Sequence, residues 1–286
     1  MSVCVVGSAN LDTVLRVAEL PAGGVTVVAE RREVGVGGKG LNQAIAAARA
    51  GAKTSFVGVI GSDDSRDIRS TLDGSGVESV LEERDGGSSG AVVVVDADGE
   101  NLIVVSANGT AGWRPNAEQI ARVESADRVV LQLELGADLA RDLAAVARAA
   151  GAWVILNASP VPPGADLRGV ADILVVNEHE ALALGADPAD LAGGLRAIAP
   201  DVVVTLGARG CLVTTPDGVT AIEGVPTAVV DTTGAGDTFC GYLVAGLHRG
   251  LSLPDSARWA GAAAARSVAR AGASESIPWA QEGIDP

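Results

Sequence analysis

The sequence predicts an α/β fold: a doubly wound, mostly parallel sheet flanked by helices, with a second, smaller β-sheet beside it. Three observations predict it. From residue 115 onward, short aliphatic and β-branched runs alternate with helical periodicities, the rhythm of a parallel sheet wrapped by helices. Two other stretches, 13–36 and 87–109, carry strand patterns with no helix between them. Polar residues also cluster just after several of the apolar runs, at the sheet edge where open α/β folds bind their ligands.

Taken in order, residues 3–6 form a short buried strand that runs into Gly7-Ser8-Ala9-Asn10-Leu11-Asp12. Asn10 and Asp12 read equally as a simple turn or as ligand groups at a strand end. Residues 13–36 are extended around the turn Pro21-Ala22-Gly23-Gly24, so they are a β excursion, not a crossover. A glycine-rich turn then leads into a helix at 41–50, followed by strand 54–60, helix 64–73 and a strand near 77–82. Strands at 90–96 and 101–106 are joined by Asp96-Ala97-Asp98-Gly99-Glu100, a hairpin signal, and would pair with 13–36. Beyond them come helix 116–124, strand 127–131, helix 137–150, strand 152–156 and a Pro-rich turn at 159–164. Strand 172–176, helices 178–184 and 188–198, strand 201–206 and hairpins over 210–222 follow. A β-prone run, Ala228-Val229-Val230, precedes a helix carrying Phe239, Leu243, Val244 and Leu247, and the last helix spans 254–270.

A chain of 286 residues with 48% hydrophobic content can bury a sizeable core, but at 2% aromatic residues that core must be aliphatic and alanine-rich. The net charge of −15 argues against nonspecific binding to nucleic acid or anionic membranes. An anionic ligand would therefore need a local positive site. Lys39 and Lys53 are the only lysines. Cys4, Cys211 and Cys240 have no metal-ligand or CxxC spacing, which suits a reducing cytoplasm, and His179 and His248 form no metal pattern. No signal peptide or membrane-spanning run is evident, so a cytoplasmic location is expected.

Asp231-Thr232-Thr233-Gly234-Ala235-Gly236-Asp237-Thr238-Phe239 places two glycines where a loop becomes a helix. The free N–H groups and positive dipole end of such a helix suit an anion, and glycine lets it approach closely. Asp237 reads either as a cap of that helix or as a group for phosphoryl chemistry. Gly35, Gly37 and Gly40 match GxGxxG literally, but they do not follow the first strand and no acidic residue ends the next strand at the required distance. A nicotinamide-dependent oxidoreductase is therefore rejected. A P-loop fails too, because Glu33 stands where its first glycine belongs and Gly40 follows Lys39. What remains is a turn that lets a polyhydroxylated ligand approach, with Lys39 and Asn42 as donors. Glu134, Asn177, Glu180 and Thr205 each follow an apolar run and could converge on one cleft; taken alone, Asn177 and Glu180 read first as a helix cap.

Together these residues resemble the ribokinase-like (PfkB) sugar kinase family over nearly the whole chain. The marks are Gly-Ser-Ala-Asn-Leu-Asp at 7–12, Gly-Gly-Lys-Gly-Leu-Asn-Gln-Ala at 37–44, Asn-Glu-His-Glu at 177–180, the stretch at 231–239, and Arg-Ala-Gly-Ala-Ser-Glu-Ser-Ile-Pro-Trp at 270–279. The resemblance implies an α/β core (1–12, 37–86 and 110–286) and a β-sheet lid (13–36 and 87–109) that also joins two subunits as a homodimer. It implies transfer of the γ-phosphoryl group of ATP, with Mg²⁺, to a sugar hydroxyl, ribose first, with deoxyribose, fructose or a nucleoside as alternatives. A non-catalytic, sugar-binding regulatory protein on the same fold is the alternative from another class, against which the intact Asp237 motif stands.

By motif match, Asp237 would be the general base and Gly234, Ala235 and Gly236 the anion hole. Asn10, Asp12, Gly38, Lys39, Asn42 and Glu134, together with Asp237, would hold the sugar, with Ala91, Val93 and Val105 as apolar lid contacts. Asn177 and Glu180 would organise Mg²⁺ and the phosphates through water, and Thr205, Gly207, Gly210 and Gly236 would line the nucleotide site. A K⁺ site would map to Asp231, Thr233, Ser267, Arg270, Gly272 and Ser276. Two positions depart from the family pattern: Arg66-Asp67, where a glycine is frequent, and Leu41, which replaces a small residue expected beside the sugar.

Overall fold

The computed structural model describes residues 2–97, 100–106 and 110–284. Asp98 and Gly99, at the centre of the expected hairpin turn, and residues 107–109 lie outside them. The strands are β1 (Val3–Val6), β2 (Asn10–Arg16), β3 (Arg31–Gly37), β4 (Thr54–Gly61), β5 (Glu78–Arg84), β6 (Gly90–Val95), β7 (Asn101–Ser106), β8 (Arg128–Gln132), β9 (Trp153–Asn157), β10 (Ile173–Asn177), β11 (Asp201–Thr205), β12 (Cys211–Thr215) and β13 (Gly218–Ile222). The helices are α1 (Lys39–Arg49), α2 (Ser65–Gly74), α3 (Ala117–Glu124), α4 (Ala137–Ala149), α5 (Glu178–Ala183), α6 (Ala235–His248) and α7 (Leu253–Ser267).

The large sheet has the order β13-β12-β11-β10-β9-β8-β1-β4-β5. From β5 to β11 neighbouring strands run parallel; β12 and β13 add an antiparallel edge. Its parallel strands alternate strictly. Val3, Val5, Val130, Ile155, Val175 and Val203 face one core with α1, α2, α6 and α7. Cys4, Val6, Val129, Leu131, Val154, Leu156 and Val202 face the other, with α3, α4 and α5. A strand buried on both faces must be apolar at every position, which is why these runs are unbroken. The chain order reverses between β1 and β8, and ligands of open sheets bind at such a switch point.

The second sheet has the order β3-β2-β6-β7. It begins at Asn10, so Asn10 and Asp12 are strand residues and not a turn after β1. Thr13 pairs with Val34 and with Val92, and Val92 with Val104, which sets these four side chains on one face. The neighbouring row, Gly35, Asp12, Ala91 and Val105, points to the other face.

Two expected elements are absent. Residues 188–198 form only a 3-10 turn at Gly193–Ala197: Gly193-Gly194 is a poor helix interior, and the Asp190 carboxylate accepts the Gly193 N–H (3.0 Å) that an α-helix would use. Ala228-Val229-Val230 joins no sheet. Val229 and Val230 are exposed, and the Val230 and Asp231 N–H groups both donate to the Val268 carbonyl.

Candidate active site

The carboxyl end of β1 and the first turn of α1 are pressed together. Gly38 takes φ 99°, and a Cβ there would stand 2.8 Å from the Ser8 carbonyl oxygen, so only glycine fits. The Leu41 N–H donates to that carbonyl (3.0 Å), and the Lys39 N–H donates to Glu134 Oε2 (3.0 Å), which also accepts the Ser8 hydroxyl. Glu134 therefore satisfies an orphan donor at the α1 N-terminus while standing beside the sugar-motif residues. On β2 of the second sheet Asp12 accepts the Ala91 N–H (2.7 Å). Burial pushes its carboxyl above the ordinary range, against that hydrogen bond and with help from Glu134.

Asp237 lies in the first turn of α6, but it does not cap it. The residue preceding the helix is Gly234, in the left-handed region at φ 73°, where a Cβ would stand 3.3 Å from the Ala273 α-carbon. The Asp237 side chain is 6% exposed and turns away from its own backbone. Oδ2 accepts from Asn42 Nδ2 (3.0 Å) and Oδ1 from Gln43 Nε2 (3.0 Å). Burial raises its pKa; Lys39 and the two amide donors oppose that, and Glu134 adds to it. Burial pulls the Lys39 ammonium down, but Asp237, Glu134 and Glu180 outweigh it and hold it above its usual value, so it stays charged.

A cleft of about 230 Å³ opens beside this pair. Lys39, Asn177, Glu180, Thr205, Gly234, Gly236 and Asp237 all line it, so sequence-distant candidates are brought together. Asn177 and Glu180 form a reciprocal capping box on α5 (2.8 and 2.9 Å), so the cap and the cleft position are both true of them. Nothing would meet a Cβ on Gly236, whereas the Ala235 N–H is turned onto the Thr232 carbonyl (3.2 Å). Gly210 takes φ 94°, and a Cβ there would meet the Ile222 oxygen at 2.0 Å, so it shapes the turn against the β13 end.

The Asp231 carboxylate accepts from the Thr233 N–H and hydroxyl (2.9 and 2.7 Å) and from the Gly272 N–H (3.0 Å). Burial raises its pKa, but these donors bring it below the usual range. The Ser267 and Ser276 hydroxyls are spent on the Ala264 and Ala273 carbonyls, and Arg270 pairs with Glu282. Asp231 is thus the one carboxylate among the six K⁺-site positions the family pattern suggests, and the others have their backbone carbonyls to offer.

The Leu41 side chain is fully buried in the core with Ala9, Ala44 and Ile45. Val105 shares the Asp12 face of the second sheet but is 74% exposed. Thr232, Asn157, Ser159 and Cys240 also line the cleft without having been singled out by the sequence. Gln43 and Gln132 were likewise missed. The strand-end rule that found Asn177 would have found two of these, because Gln132 and Asn157 close β8 and β9 and are paired in register. Among the described residues no cluster of three His, Cys, Asp or Glu side chains could hold a metal by itself.

Comparison with known proteins gives this geometry a family. The ribokinase of Haemophilus influenzae is 34% identical over 98% of this chain and 96% of its own length. The ribokinase of Bacillus subtilis is 32% identical over 98% and 97%. Among solved structures, the ribokinase of Thermotoga maritima superposes with a TM-score of 0.89 at 29% identity, covering 99% of this chain and 97% of that one. The Arabidopsis thaliana ribokinase complexed with ribose and ATP gives 0.87 at 29% identity, with the same coverage. The family model for pfkB family carbohydrate kinases matches residues 1–280. On a match of that extent, with Asp237 buried at the head of α6 and a cleft beside it, the chain belongs to the pfkB family of carbohydrate kinases.

Proposed function

We propose that this chain phosphorylates a free sugar from ATP, with D-ribose giving D-ribose 5-phosphate. The observation that carries the reading is the hydrogen-bonded unit of Asp237 and Asn42, set between the cleft and the Glu134–Lys39 corner. Full-length relatives named ribokinase support ribose as the acceptor. Asn10, Asp12, Gly38, Lys39, Asn42 and Glu134 bind the sugar, and lid residues Ala91, Val93 and Val105 cover it.

Asp237 takes the proton of the attacking hydroxyl. The hydroxyl oxygen bonds to the γ-phosphorus, and the bond to the bridging oxygen breaks, its electron pair leaving with ADP. Such a reaction asks the protein mainly for position and charge stabilisation. At the α6 N-terminus Gly234 and Gly236 supply N–H donors to the phosphoryl oxygens, and Ala235 joins them on release of its N–H from the Thr232 carbonyl, while Thr205, Gly207 and Gly210 bound the nucleotide. Lys39 adds the positive charge that the net −15 otherwise denies an anion.

Mg²⁺ fits the donor chemistry of Glu180 and Asn177, one carboxylate and one amide with room for water, as this ion is usually held together with substrate phosphates. When bound it neutralises phosphate charge. K⁺ fits Asp231 and the carbonyls near Thr233, Ser267, Arg270, Gly272 and Ser276, which are oxygens only. Three buried free thiols support a cytoplasmic enzyme, and no described helix is long and apolar enough to cross a membrane. An apolar row on the outer lid face supports a homodimer.

ADP release is to be measured with ribose, deoxyribose, fructose and nucleosides, with and without K⁺. Turnover should be highest on ribose and rise with K⁺, and Asp237→Asn should lower kcat about 10²- to 10⁴-fold. No turnover on any acceptor sinks the kinase reading. A wild-type rate in Asp237→Asn removes Asp237 as the base.

A further inference from the structure

Asp237 has to work as a base while almost wholly out of water, and its carboxylate is held from two sides. Asn42, on one side, belongs to the sugar set. On the other side is Gln43, which is fully buried and does not line the cleft. The Gln43 amide uses both its N–H donors and one acceptor site, which fixes one orientation. Nε2 donates to Asp237 Oδ1 (3.0 Å) and to Asn157 Oδ1 (3.1 Å), and Oε1 accepts from Gln132 Nε2 (2.7 Å). Turning the amide over would set its oxygen against two acceptors and its nitrogen against a donor, so the flip loses three bonds at once. Asn157 is fixed in turn by donating to the Val175 carbonyl (3.3 Å).

Packing does not require this amide. Leu41, Ala44, Ile45, Ala46 and Ala47 already seat α1 in the core. A buried amide is worth keeping only when its partners need it, since an unpaired one is costly.

We propose that Gln43 is a positioning residue for phosphoryl transfer: anchored by Gln132 and Asn157, it ties up Asp237 Oδ1 and leaves Oδ2, on the Asn42 side, to meet the acceptor hydroxyl. The proposal rests on Asp237 being the base. The charged and titratable groups around that carboxylate are Lys39 from α1, Glu134 from the turn after β8, and Cys240 one turn along α6; Glu180 of α5 faces Lys39 and Cys240. Gln43 adds a donor to the ionised form. Its loss leaves burial less opposed, so the carboxylate holds its proton to higher pH.

The test is kcat and acceptor KM against pH for wild type, Gln43→Met, Gln132→Met and Asp237→Asn, with thermal unfolding at each pH. Gln43→Met should lower kcat about 10- to 100-fold, the worth of a hydrogen bond to a charged group, with acceptor KM little changed. Its acid limb should move toward neutral pH. Gln132→Met, which frees the Gln43 amide to swing, should shift the limb in the same direction by less and serves if Gln43→Met does not fold. The deficit in stability of either variant should widen as pH rises, because a folded carboxyl with a raised pKa loses stability on ionisation while the unfolded one ionises freely. An unmoved acid limb in both variants, with kcat lost only in proportion to stability, overturns the proposal while Asp237→Asn stays inactive. Wild-type turnover in Asp237→Asn would instead remove the base assignment on which it rests.

Discussion

Gly7 and Gly40 touch through their backbones. A Cβ on Gly40 would stand 2.6 Å from the Gly7 α-carbon, and one on Gly7 would meet Gln132 Oε1 at 2.0 Å and the Gly40 α-carbon at 2.7 Å. Neither has positive φ, so what the site needs here is space. Gly7→Ala should therefore push the first turn of α1 off the end of β1, costing about 1–3 kcal/mol as overpacking does. It should also disturb Gln132, the anchor of Gln43. Melting temperature and kcat measured on the same preparation check this; unchanged values for both would refute it. At this scale the sequence was legible wherever a motif is contiguous: Asn42 and Asp237 were both marked, and the structure joins them. Gln43 stood inside a quoted motif without a role. Its partners come from β8 and β9, 89 and 114 residues away, and the meeting of three amides depends on sheet register. Leu41 lies between Lys39 and Asn42 in the same motif, yet its side chain joins the core, because successive helix positions point about 100° apart.

Helices α1 and α6 carry the two halves of the Asp237 cluster, and they meet at Gly241. A Cβ there would lie 2.3 Å from the Ala46 Cβ and 2.7 Å from the Gln43 carbonyl oxygen. Gly241→Val should force the helices apart, destabilise by about 1–3 kcal/mol, and reduce kcat by parting Asn42 and Gln43 from Asp237. Gly261, in the middle of α7 with nothing near its missing Cβ, is the control: Gly261→Ala should raise stability by about 0.5–1 kcal/mol and leave kcat alone. Thermal melts with steady-state kinetics separate the two. Helices and buried strands were legible because their periods are strong. The lost helix at 188–198 shows where pattern yields to local hydrogen bonding at Asp190. The β-prone run at 228–230 forms no strand, and the Val230 N–H is bonded to the Val268 carbonyl at the end of α7 instead.

At the scale of the molecule, the small sheet has two unlike faces. One carries Asp12. The other carries Val34, Val92, Leu102 and Val104, between 42% and 58% exposed, with Thr13 among them. A contiguous apolar face of this kind marks a place of association, and the proposed homodimer would bury it. The double variant Val92→Glu with Val104→Glu should sediment as a monomer where wild type sediments as a dimer; a monomeric wild type at micromolar concentration would discard the dimer. That two β-only stretches would pair was legible from the missing helices. Which side of the sheet is apolar was not, because a one-residue slip of register exchanges the faces.

The central place of β1 also bears on how the chain is made. Val3 pairs with Thr54 on one side and with Arg128 on the other. β1 is made before both neighbours and keeps an open apolar edge until β8 is synthesised, several seconds later at about 5–20 residues per second. Non-local parallel pairing of this kind is slow even in a complete chain. A nascent chain halted before β8 presents an unpaired, aliphatic strand edge, so release of such truncated chains should yield aggregate, and the full-length protein should depend on chaperones mainly during that interval.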